Sequence, residues 1–180
     1  HRRSSAASDV YKRQIIDGDS STDIEGTTAS VMVGDGTDGA NFGAMGGGDN
    51  NIDTDVDNLN VDTSGTNSSG TQWIDESDGL MTLDLDAGDG NVVLVAGGAI
   101  IDGDSSTDIA GTTATITVGD GTDGANFGAM GGGDNNIDTD VANLNVDTSG
   151  TNSSGTQWID EFDGLTTVSY THLTLPTISD

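Results

Sequence analysis

Short apolar runs punctuate this chain, and they alternate with polar residues rather than recurring at the three-to-four-residue spacing of a helix. Ala29, Val31 and Val33 fall on one face of a pleated strand, with Thr28, Ser30 and Met32 on the other. Ala114, Ile116 and Val118 repeat the inward set, opposite Thr113, Thr115 and Thr117. The same alternation predicts strands at 52–56, 59–63, 72–75, 80–86 and 92–96. Turn-forming runs such as GDG, DGDSS, GTD and SSG separate them. The chain is expected to be all-β.

The strands sit inside a tandem repeat. Residues 15–82 recur as 100–167, an offset of 85, with 61 of 68 positions identical. Short strands within a long repeat suit a solenoid, in which each coil buries a narrow apolar stripe against its neighbours. A parallel β-helix of about four coils per repeat is the expected architecture. Residues 15–99 would form the first copy and 100–167 a truncated second. Only five aromatics lie between 15 and 167, so the core must be thin and aliphatic. Trp73 and Trp158 are expected to fill the core or a corner rather than to stack on a ligand.

The two ends differ in kind from the repeat. Residues 4–14, SSAASDVYKRQ, resemble the in-frame translation of a tagmentation sequencing adapter. Residues 168–177, VSYTHLTLPT, resemble the translation of its reverse complement. Residues 1–14 and 168–180 are therefore expected to be adapter-derived, and 15–167 an interior piece of a longer reading frame.

Setting the flanks aside sharpens the charge. All four cations (Arg2, Arg3, Lys12 and Arg13) and both histidines belong to them. Asp9 and Asp180 are the only two of 31 acidic residues that do, leaving 29 acids and no cation. Nucleic-acid binding, which needs cations to neutralise phosphates, is excluded, and so is attraction to an anionic membrane surface. Without Cys, His or Lys in the repeat, triad and Schiff-base chemistry are excluded too. Carboxylate pairs such as Asp53 and Asp55 leave a β-helix glycoside hydrolase as a minor alternative.

The run from IDTDVDNLNVDTSG through WIDESDGLMTLDLDAGDGNVVLVAGGAI resembles repeats of filamentous-haemagglutinin-type bacterial adhesins. The acidic step at residues 74–80 and the strand ending LVAGGAI at 94–100 carry the likeness. That resemblance implies a right-handed parallel β-helix, export to the cell surface or medium, and a non-enzymatic structural or adhesive role. The implied partners are cell-surface or glycan ligands met multivalently, and neighbouring repeats of the same chain.

The remaining chemistry is cation binding. Oxygen-rich turns suit a hard ion such as calcium. The run DGDSSTD brings Asp17, Asp19 and Asp23 together, and Asp102, Asp104 and Asp108 repeat it. VGDGTDG offers Asp35 and Asp38, repeated as Asp120 and Asp123. Neither run fits an EF-hand loop or the nonapeptide of calcium-binding toxin repeats. These acids are thus either calcium ligands in a metal-dependent repeat module, or solvated turn acids that keep an exposed array soluble. Gly46–48 and 131–133 read as tight turns rather than a phosphate cradle, because no lysine or helix follows them.

Overall fold

A computed structural model describes residues 14–46, 50–131 and 135–171. Most of both adapter-like flanks, and part of each triple-glycine run, lie outside the described residues. Among the described residues there are nine strands and no helix. They are β1 (Ile24–Met32), β2 (Ile52–Asp62), β3 (Gln72–Glu76), β4 (Thr82–Asp86), β5 (Asn91–Ala96), β6 (Ile109–Val118), β7 (Ile137–Asp147), β8 (Ile159–Glu161) and β9 (Thr167–Thr171). Every pairing between named strands is parallel.

The strands merge into one sheet of unusual connectivity. Its main path runs β1-β2-β3-β5-β6-β7-β8, while β4 pairs with β2 and β6, and β9 with β7. β2 is long enough to take two partners on one edge: its first residues pair with β3 and its last with β4. β6 does the same with β4 and then β5. The pairings β2–β3–β5–β6–β4–β2 therefore close a ring of five strands.

Parallel register makes like positions stack into columns. Ile52, Ile74, Leu94, Ile116 and Val146 form one, each in register with the next. Val31, Val61, Leu85 and Ile109 form another. Both run through the core, where Leu, Ile and Val dominate, and only Phe42 and Phe127 add buried aromatic bulk. Trp73 and Trp158 are half-buried, outside this core. The inward alternation is as expected: Ala29 and Val33 are buried beside a half-buried Val31, whereas Met32 is 69% exposed. The two strands expected at 52–56 and 59–63 are one continuous strand, since Asp57 and Asn58 stay extended against β1.

Close backbone approach explains some of the glycines. A Cβ at Gly39 would sit 2.0 Å from the Thr63 carbonyl oxygen, and one at Gly70 would sit 2.1 Å from that of Ala40. Turns from successive passes of the chain lie directly on one another there, and only glycine fits. β9 shows how little the backbone ladder depends on side chains. It pairs Asn143 with Thr167 as β4 pairs Asn58 with Thr82, although residues 168–171 do not repeat the first copy.

Candidate functional site

Between Gln14 and Thr171 there is no Lys, Arg or His, so among the described residues no carboxylate is paired with a cationic side chain. Two of the three buried acids lie where the DGDSSTD turn meets the start of a long strand. The carboxylates of Asp102, Asp108 and Asp138 each place an oxygen within 4.8 Å of the other two. Asp102 is 5% exposed and Asp108 is 2% exposed. The Asp138 N–H donates to Asp108 Oδ2 at 2.7 Å, and the Asp108 N–H donates to the Asp138 carbonyl at 2.8 Å. A reciprocal clamp thus ties the turn to β7, 30 residues along the chain.

Burial pushes the Asp108 carboxyl up to about 8. The charges of Asp102, Asp138 and Asp104 add to that rise, and the hydrogen bond from Asp138 offsets part of it. Asp104, the middle acid of the turn, faces outward instead and accepts from the Ser106 hydroxyl and N–H, which lower its pKa.

The first copy builds the same clamp between Asp23 and Asp53. Asp53 N–H donates to Asp23 Oδ2 at 3.1 Å, and Asp23 N–H to the Asp53 carbonyl at 2.8 Å. Here Asp23 is exposed and Asp17 half-buried. Asp53 is raised by burial first, then by Asp75, Asp17, Asp23 and Asp19. Asp19 matches Asp104, turned outward onto Ser21.

The other candidate acids do a turn's work. Asp35 accepts from the Thr37 and Asp38 N–H groups, both at 2.9 Å, and Asp120 from those of Thr122 and Asp123, both at 2.7 Å. Asp38 and Asp123 accept from Ser68 and Ser153 across 30 residues. These hydrogen bonds hold Asp35 and Asp120 below the usual carboxylate range. The structure therefore brings Asp102 and Asp108 together, adds Asp138, and leaves Asp35, Asp38, Asp120 and Asp123 on their own loops.

A second repeated cluster was not anticipated from the sequence. Asp55, Glu76 and Asp78 converge, as do Asp140, Glu161 and Asp163. Glu76 is fully buried, accepting from the Thr54 hydroxyl at 2.5 Å and the Val56 N–H at 3.2 Å. Burial raises its pKa; these bonds and a backbone bond at Asp78 oppose the rise, and the Asp78 charge adds to it. The Glu161–Thr139 bond at 2.6 Å repeats the arrangement.

Asp138 and Glu161, one acid from each cluster, line a groove that has a counterpart in the first copy. Ser105, Thr107, Asp138 and Asp160 line one of about 340 Å³, with Phe162 at its rim. Ser20, Thr22, Asp53 and Asp75 line its counterpart of about 260 Å³, where Ser77 replaces the phenylalanine. Hydroxyls and carboxylates without a cation make this lining a hydrogen-bond acceptor surface of negative potential. No family model, curated protein or solved structure matches the chain.

Proposed function

We propose that this chain is a repeat region of a large exported surface or secreted bacterial protein, whose role is extension, display and multivalent contact rather than catalysis. Its likeness to filamentous-haemagglutinin-type repeats first suggested the reading. The observation that carries it is the parallel ladder itself, in which each residue pairs with one 20 to 30 positions later. A chain that returns beside itself in parallel every 20 to 30 residues is a coil stacked along an axis, the architecture of a parallel β-helix.

On this reading the repeat is not a whole number of turns. Three pairing steps carry Val31 through Val61 and Leu85 to Ile109, seven residues short of its copy Ile116. Four steps carry Ile24 through Thr54, Glu76 and Ala96 to Val118, nine residues past its copy Ile109. Each 85-residue copy thus spans about three and a half turns, and equivalent residues lie on opposite sides of the coil. The two grooves face opposite ways, so one rod would present contacts on both flanks, and weak sites would gain avidity by number.

Small-angle scattering and a ligand screen test this. An elongated particle, with binding to a glycan or cell surface that strengthens steeply with the number of linked repeats, is the expected result. A compact sphere, or turnover of a polysaccharide, would sink it.

A calcium-dependent module is the second reading. It is favoured by the burial of Asp102 and Asp108 beside Asp138 with no cationic side chain to balance them. Under it, millimolar calcium raises the unfolding midpoint at pH 7.5 and chelator reverses the gain. Identical midpoints with calcium and with chelator would leave protonation as the way the buried charge is relieved.

A further inference from the structure

Aspartate precedes glycine nine times in this chain. In four of these pairs the carboxylate turns away from the glycine: Asp17, Asp35, Asp102 and Asp120 accept from N–H groups two or three residues on. In three more the glycine N–H goes elsewhere, from Gly39 to the Ser68 carbonyl, Gly90 to Ala87 and Gly124 to Ser153. Asp78 differs. The Gly79 N–H donates to Asp78 Oδ1 at 2.7 Å, so a backbone nitrogen lies against the carboxyl of the residue before it. The pair sits in the turn between β3 and β4, with chain on both sides. Met81 N–H donates to the Asp57 carbonyl at 2.7 Å, and Leu80 N–H to the Ala99 carbonyl at 3.0 Å. A Cβ on residue 79 would collide with that same Ala99 oxygen, so packing demands glycine, and glycine leaves its nitrogen unhindered. Asp55, Glu76 and Asp78 also converge here, each with an oxygen within 4.8 Å of the other two. Carboxyls this close, with no cationic side chain among the described residues, favour a shared proton.

We propose that Asp78–Gly79 is a self-modification site, where the chain closes a cyclic imide in its own backbone and reopens it as a β-linked aspartyl bond. The Gly79 nitrogen attacks Asp78 Cγ, and an N–Cγ bond forms as a Cγ–O bond breaks. The amide proton and the carboxyl hydroxyl leave together as one water. Water then adds to either imide carbonyl. Cleavage of the N–Cγ bond restores the ordinary linkage, whereas cleavage of the original peptide bond leaves the chain running through Cγ. Water is the sole co-reactant. The existing contact between nitrogen and carboxyl supplies the close placement that such a ring closure needs. A proton shared with Glu76 and Asp55 supplies the neutral carboxyl, since an ionised one does not release its oxygen. Ring closure breaks no bond between passes of the chain, because the Gly79 N–H is spent on Asp78 itself. The β-linked product lengthens the backbone by one carbon in a turn packed against Ala99, so it loosens the Leu80–Ala99 bond. Only the β3–β4 turn is needed, so the site is independent of the stacked-coil reading.

Ageing the whole chain at pH 7.5 in heavy-oxygen water, followed by pepsin mapping with electron-transfer fragmentation, is the test. Each imide that opens takes up one heavy oxygen, and the fragmentation distinguishes the β-linkage from the ordinary one. Label and β-linkage at residue 78 should exceed the average of the other eight pairs by at least about tenfold. Hydroxylamine, which cleaves at an imide, should cut the aged chain between Asp78 and Gly79. In guanidinium chloride the contact is lost, and the lead of residue 78 should disappear with it. Even conversion across the nine pairs in buffer overturns the site, and so does a lead that persists in denaturant, which would belong to the local sequence. Asp163–Gly164 supplies the internal control, because Asp140, Glu161 and Asp163 repeat the cluster while no bond joins Gly164 to Asp163. Equal conversion at residues 78 and 163 would assign the chemistry to the acids rather than to the contact, and would also overturn it.

Discussion

Residues 15–24 and 100–109 have the same sequence, IIDGDSSTDI, and end up in different chemical worlds. In the second copy the turn is flanked on both sides, with the Leu85 N–H bonded to the Asp108 carbonyl and β7 on the other side. Asp108 is buried there and holds a proton to about pH 8. In the first copy nothing described covers the turn from below, and Asp23 meets water. Composition, spacing and the clamp to the next strand are constant between the two. What packs against the turn sets burial, and burial sets the acid's affinity for protons.

The largest consequence is an unusual pH dependence. Asp108 has an ordinary pKa of 3.8 and a folded value of about 8, so between those limits the folded chain binds a proton that the unfolded chain releases. Its contribution is complete below about pH 4 and is lost as pH rises to about 8. Glu76, Asp53, Asp75 and Asp84 are raised in the same direction. The exposed acids with lowered values, Asp19, Asp35, Asp104 and Asp120, work the other way and only below pH 4. Urea unfolding should therefore show stability rising from pH 8 to pH 4, with Asp108 supplying at most about 5 kcal/mol. A flat or falling profile in metal-free buffer would remove the buried proton from the account.

Substitution of the two matched acids isolates the same effect. Asp108→Asn keeps an acceptor for the Asp138 N–H and needs no proton to be neutral when buried, so it should stabilise by about 2–4 kcal/mol at pH 7.5. Asp23→Asn, in water, should stay within about 0.5 kcal/mol. A destabilised Asp108→Asn in chelator would show that the carboxylate is needed as such.

The core gives the next contrast. Ile116 stacks between Leu94 and Val146, while Val31 stacks on Val61 alone among the named strands. Ile116→Ala should cost about 2–5 kcal/mol and Val31→Ala only about 1. Equal losses would mean that Val31 is packed on both sides in solution.

How far this was legible in the sequence follows from the range of each interaction. Strand faces were readable, because alternation is local: Ala114, Ile116 and Val118 point inward as their spacing required. All-β character followed from the same pattern. The merging of β2 and the half-buried tryptophans were not readable, since they depend on which distant strands and loops pack alongside. The acid site divides the same way. The spacing of DGDSSTD flagged Asp102 and Asp108, but Asp138 arrives from 30 residues away and Asp104 turns outward to bond its own neighbour Ser106. Glu76 resembled any other acid in an acidic strand. Only its place opposite Thr54, whose hydroxyl it accepts, makes it a core residue.

The smallest expected effect tests the comparison most finely, because it exchanges the one acid by which the two strands differ. Glu25 is in register with Asp55 on β2, whereas Ala110 lies between Asp86 on β4 and Asp140 on β7. Like charges directly opposite in a ladder are destabilising, by a few tenths to about 1 kcal/mol. Ala110→Glu inserts a carboxylate between two others and should cost close to 1 kcal/mol. Glu25→Ala removes one of a single pair at an open edge and should gain a few tenths. Both effects are coulombic between groups that reach solvent, so they should shrink together in 1 M salt, where the screening length falls to about 3 Å. A loss at Ala110→Glu that survives high salt would instead point to steric exclusion in the covered strand, and the difference between β1 and β6 would then be one of space rather than charge.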